Sequence, residues 1–187
     1  MAQSKNNIIT HGMSGKIGDL IVFRTLNGKT IVTNKPAKRK GELSEGQKLH
    51  HKRFQQATIY AKSATANPAL KEAYKETAKE GLTPYNVAVA DFMHAPDINE
   101  VNVSKYNGKA GSTISINATD DFKVAEVFVI ILNQDGTEVE EGYAQPTPGG
   151  IEWIYTATAD NDSLTGDKII IRASDLPGHT TEVEQAF

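Results

Sequence analysis

Cysteine is missing from all 187 residues, which removes disulfide bridges and thiolate metal ligation together. Long apolar runs are missing too. None approaches the ~20 residues a membrane-spanning helix needs, so no membrane span is expected. The opening "MAQSKNNIITHGMSG" lacks the apolar core of a secretory signal, and the expected compartment is the cytoplasm, or a particle assembled there such as a virion. The motifs that carry chemistry are equally scarce. There is no "G-x-S-x-G" elbow, no "H-E-x-x-H", and no glycine loop ending in "G-K-[ST]". Glycines 12, 15 and 18 of "GMSGKIGD" lead into a β-type run and not a helix, which points to turns and away from a phosphate cradle. His50 and His51 are neighbours and face different sides of a helix, while His11, His94 and His179 are scattered. No metal, cofactor or small-molecule substrate is expected, and no catalytic residue stands out. Glu140-Glu141 and Asp120-Asp121 are sequence neighbours in stretches that read as exposed. Calcium ligation by the acidic loops is weighed below ordinary polar turns.

What the chain does have is a division of charge. The overall formal charge of -3 hides +8 over residues 1–95 and -11 over residues 96–187. An asymmetry of this size points to two modules with different surroundings. The expected fold is accordingly α+β in two modules: a basic hairpin with about three short helices (1–95), then an acidic all-β sandwich of about seven strands (96–187).

In the first module "DLIVFRT" and "KTIVTNK" flank Asn27-Gly28, a pair suited to a two-residue type I′ turn. Apolar side chains on both faces predict that both are covered. Pro36 ends the second strand. "LSEGQKLHHKRFQQATIYAKSAT" then reads as a helix with Ser44 and Gln47 as a capping box. Its expected buried stripe is Leu49, Phe54, Ala57, Tyr60, Ala61 and Ala64. Asn67-Pro68 starts a second helix that should stop at Gly81, and Thr83-Pro84 a third. From Ile98 the period changes to two. "STISINATD" and "DKIIIRASD" alternate, and "VAEVFVIILN" reads as a central strand buried on both sides. "IEWIYTATA" places Ile151, Trp153, Tyr155 and Ala157 on one face, so Trp153 is core and not a sugar-stacking platform.

The segments "ATDDFKVAEVFVIILNQDGTEVEEGYA", "IEWIYTATA" and "GDKIIIRASDLPGHTTE", with Ala173, Asp175 and Gly178 as an "A-x-D-x-x-G" exit, resemble bacterial immunoglobulin-like modules. That resemblance implies a fold and no ligand. "SGKIGDLIVFRTLNGKTIVTNKPAK", the Gln-containing basic helix and "TPYNVAVADF" are similar in layout to an uncharacterised Bacteroidota family, with Thr33-Asn34-Lys35 where a single arginine is usual. It implies a hairpin-plus-helix module and no activity.

The strongest functional signal is cationic. Lys29, Lys35, Lys38, Arg39, Lys40, Lys48, Lys52 and Arg53, with Arg24 on the hairpin, form a basic segment that would serve as an anchor, and Asn27-Gly28 fixes its hairpin. Phosphate binding would use such a patch, but the aromatics near it, Phe23 and Phe54, are expected inside, which leaves little for base stacking. The favoured reading is a non-enzymatic structural subunit of a phage-type virion or related particle, partnered by other copies of itself or other particle proteins. The alternative is a DNA-associated protein gripping phosphate through the basic half.

Overall fold

The computed structural model describes residues 2–4 (backbone alone), 10, 12–26, 28–35 and 41–187. It is mixed α and β. Among these residues, three helices and three four-stranded antiparallel sheets are formed. The chain divides into two compact units, residues 1–48 and 49–187. The expected boundary at 95/96 therefore does not coincide with the observed one. The helices fall with the sandwich because Phe122, which leads into its third strand, packs into their core. Recounted over the observed units, the formal charge is +6 and -9.

The first unit is a sheet of order β1-β4-β3-β2, built from β1 (Ala2–Ser4), β2 (Gly15–Ile17), β3 (Ile21–Leu26) and β4 (Lys29–Asn34). Leu26 pairs with Lys29, so the hairpin closes in two residues, with Gly28 at φ +72° as a primed turn requires. Phe23 and Thr30 are buried. Expected cover on both faces is not observed among the described residues: Ile17, Leu20 and Leu26 are 55%, 77% and 60% exposed. Leu20 sits in the turn before β3 and not on its face.

Helices α1 (Glu45–Ala66, in the second unit from residue 49 on), α2 (Pro68–Thr77) and α3 (Pro84–Met93) form one small core around Ala61, Ala64, Tyr74, Val87 and Ala88. Their caps follow the sequence. Ser44 and Gln47 exchange hydrogen bonds, the Asn67 side chain accepts from Ala69 and Leu70, and Thr83 and Asn86 form a capping box. α2 stops at Thr77, ahead of Gly81, with Ala78 as its cap.

Two further sheets enclose the larger core. One has order β5-β6-β10-β9, the other β12-β11-β7-β8. Their strands are β5 (Asp97–Asn102), β6 (Thr113–Thr119), β7 (Val124–Leu132), β8 (Glu138–Tyr143), β9 (Gln145–Pro146), β10 (Glu152–Thr156), β11 (Lys168–Asp175) and β12 (Thr180–Ala186). Alternate residues of both sheets, including Ile114, Ile116, Val127, Val129, Trp153 and Ile171, form a single cluster, so the sheets face each other as a sandwich. β7 is buried on one side only. Val127, Val129 and Ile131 point into the core, while Phe128, Ile130 and Leu132 lie on the opposite face, outside that cluster. Ile151 precedes β10 and is exposed, unlike Trp153, Tyr155 and Ala157. Three of the four sandwich edges are short or irregular, and β12 is regular. β9 is two residues long and contains Pro146, the β5 pairing shifts register between Ile98 and Glu100, and the β7–β8 pairing shifts at Ile131/Leu132.

Candidate functional site

α1 is amphipathic over its second half only. Ala57, Ala61 and Ala64 are its buried residues, and the stripe continues toward the N-terminus by steps of three and four to Phe54, Arg53 and Leu49. Those positions have little to pack on among the described residues: 45–56 are all exposed, with Leu49 at 69% and Phe54 at 49%. The expected burial of Leu49 and Phe54 is thus corrected. The stripe outruns the helical core, which ends at the short α2 and α3.

Of the candidate basic residues, Lys48, Lys52 and Arg53 come together on these exposed turns. Lys48 is paired with Glu45 at 2.8 Å, whereas Lys52 and Arg53 have no ion pair among the described residues. Lys52, Arg53, Leu49 and Gln56 border an open cleft of about 360 Å³ whose other wall is Phe92 of α3 and His179 of the β11–β12 turn. Arg24, Lys29 and Lys35 lie apart from them in sequence, on the first sheet. Arg24 and Lys29 share one face by register. Lys35 is drawn to Asp19 at 2.8 Å, and Lys16 reaches the same oxygen at 2.7 Å. Those two lysines, Lys16 foremost, hold the Asp19 carboxyl below its ordinary range. Gly28 is at the expected turn. Asn27, Lys38, Arg39 and Lys40 lie outside the described residues.

Two polar clusters that the sequence reading missed flank Phe92. Asp175, buried at the end of β11, accepts from the backbone N–H groups of Gly178 and His179, and its Oδ2 lies 2.9 Å from His179 Nδ1. The His179 ring meets the Phe92 ring edge-on at 4.9 Å. Within the helices, the Tyr74 hydroxyl donates to Asp91 Oδ2 at 2.5 Å and lies 2.9 Å from the Tyr60 hydroxyl. Asp91 is fully buried; no N–H or protein hydroxyl reaches its Oδ1 or the buried Oδ1 of Asp120 among the described residues, and the two carboxyls interact through a side-chain hydrogen bond that favours the protonated form of Asp91. Burial pushes the Asp91 carboxyl up to about 7, against the opposing hydrogen bond from Tyr74 and reinforced by Asp120 and Asp175. Burial, with Asp91 beside it, drives the Tyr74 hydroxyl far above its ordinary range. One signal could have drawn attention here: Asp91 is the one charge within the apolar run "VAVADFM".

Glu140 corrects a second expectation. It is buried, accepting from Thr158 N (2.7 Å), Thr158 Oγ1 (2.8 Å) and Ala159 N (3.2 Å), while its neighbour Glu141 is exposed. Asn161 of the acidic "DNDS" loop donates to Asp167 Oδ2 at 2.8 Å, within the single connection between β10 and β11. Among the described residues, no three His, Asp or Glu side chains are arranged to hold a metal ion, and no helix is long and apolar enough to cross a membrane. The site offers an apolar, cationic helix surface.

No family model matches the chain, and no curated protein matches it. Two solved structures are similar in part. CopC from Methylosinus trichosporium OB3b is 18% identical, with a TM-score of 0.34 over 49% of this chain and 88% of that one. An engineered protein from a structural genomics consortium is 16% identical, with a TM-score of 0.34 over 58% of this chain and 30% of that one. Likeness at that level carries no argument about function.

Proposed function

We propose that this protein is a non-enzymatic assembly subunit of a multi-subunit particle of the phage-virion type, with its N-terminal sheet and the exposed turns of α1 as the anchor. The observation that carries this reading is α1 itself. Its residues 45–56 hold two large apolar side chains in water, beside two cations with no ion pair among the described residues. An apolar stripe of that kind is buried in the working state of a protein, and the partner must come from outside the helical core. Exposed Ile17, Leu20 and Leu26 in the first unit support the same reading.

The body is, on this proposal, an immunoglobulin-like module. Read as strands A, B, C, C′, D, E, F and G, β5 to β12 give sheets in the order A-B-E-D and G-F-C-C′, the arrangement of that fold class. Because such a particle assembles inside the cell, the cytoplasmic compartment goes with it.

The test is the mass of the full-length protein by light scattering at low and at high salt, with duplex DNA added in a parallel arm. A species several times the chain mass that shrinks with salt is the expected result. A monomer at every concentration and salt, or one that binds DNA with a steep salt slope, would sink it.

A further inference from the structure

The sheet β12-β11-β7-β8 has a second face, and its composition is unusual for a surface exposed to water. The strand registers align Arg172 with Phe128 and Tyr143, Ile170 with Ile130 and Glu141, and Lys168 with Leu132 and Glu138. The centre is therefore apolar. Phe128 and Tyr143 rings touch edge-on at 4.8 Å, Tyr143 is 57% exposed, and Ile130, Leu132 and Ile170 are only partly covered. None of these belongs to the core between the sheets. Around the centre stands a rim of carboxylates, Glu126, Glu138, Glu141, Glu182 and Glu184, against Lys168 and Arg172. Both cations are already held within the sheet, Lys168 by Glu184 and Arg172 by Glu182, each at 2.6 Å. Glu126, Glu138 and Glu141 are left without an ion pair among the described residues. An apolar centre inside a polar rim is the anatomy of an interface and not of a free surface.

We infer that this face receives the exposed N-terminal turns of α1 from a second copy of the chain. The inference rests on the assembly reading and names its surfaces. Chemistry and size both select that occupant. The helix brings Leu49 with Lys52 and Arg53 on one side and Phe54 at its margin; the sheet brings apolar rings and side chains with Glu126, Glu138 and Glu141 beside them. Its twelve residues, 45–56, span ~18 Å of helix, and nine-residue β7 gives a face ~30 Å long by ~14 Å across four strands, which accommodates it. The mode is an amphipathic helix laid on an apolar platform, with charge setting register and encounter. Helix and sheet are different patches, so the contact is head-to-tail and each subunit offers one of each to its neighbours.

The experiment uses two full-length variants that reverse charge on exposed positions only: Lys52→Glu with Arg53→Glu, and Glu126→Lys with Glu141→Lys. Sedimentation velocity is run on the wild type, each variant, and their equimolar mixture, with circular dichroism as the folding control. The expected result is that the wild type assembles, each variant alone shows at least a tenfold weaker association, and the mixture regains part of it. Rescue arises because the reversed helix of one variant meets the reversed sheet of the other as opposite charges. Variants that assemble as the wild type does would overturn this pair of surfaces and leave the assembly reading standing on others. Dispersed variants that fail to rescue each other would overturn the pairing of helix with sheet. A wild type that stays monomeric would overturn both readings.

Discussion

Asp91 is a carboxylate without a full set of partners among the described residues, shut in beside Tyr74 and close to two further aspartates. Its folded pKa of about 7 lies above the ~3.9 of an unfolded aspartate, so the native state binds more protons between those values. The stability linked to that proton is fully present below the unfolded pKa. It is lost as pH rises through roughly 4 to 7. Chemical denaturation at pH 5 and pH 8 should show the higher midpoint at pH 5, and Asp91→Asn should flatten that difference. A second residue prediction concerns Gly108, at φ +74° with the Asn161 carbonyl oxygen only 2.6 Å from where a Cβ would stand. Gly108→Ala should destabilise by about 1–3 kcal/mol, read as a fall in melting temperature, whereas Gly111→Ala, with open space around it, should show only the backbone strain of its positive φ. Sequence marks Asp91 as a charge in an apolar run and no further, because its burial needs three helices in place. The approach at Gly108 needs two loops about 50 residues apart, which no local pattern announces.

At the level of elements, α1 is half core and half protrusion. Ser44→Ala removes the acceptor for Gln47 N–H and should lower stability by about 1 kcal/mol, read from the denaturation midpoint. Leu49→Ser with Phe54→Ser should leave the unfolding midpoint within ~0.5 kcal/mol of the wild type, because surface substitutions remove no packing, and should reduce association in the same sample. A fall in stability of several kcal/mol would mean the two side chains were packed after all. The helix starts, the hairpin turn and the alternating strands were readable because caps, Asn-Gly and period two are local codes. The stripe on α1 was readable as well. What lay beyond reach was its cover, since periodicity reports that a face is apolar and not which molecule buries it. The same limit applied to β7, whose continuous apolar run predicted two buried faces where the core between the sheets covers one.

For the whole molecule, the charge division survives with its boundary moved, +6 on the first unit and -9 on the second. The basic candidates divide in turn. Lys52 and Arg53 meet on α1, Arg24 and Lys29 share a sheet face, and Lys35 is engaged by Asp19. Salt should therefore weaken association gradually, and association should persist in part at about 1 M salt because apolar burial is not screened. A light-scattering titration with salt reads both effects. On the proposed assembly role, the protein lives at high local concentration and has to avoid sticking where it should not. The sandwich's two-residue, proline-bearing β9 and the slipped registers at β5 and β8 leave those borders poorly shaped to template another strand. Three of its four margins are thus guarded against amyloid-like growth, while β12 pairs without a slip along its seven residues and depends on charges such as Glu182 and Glu184 to discourage a further strand.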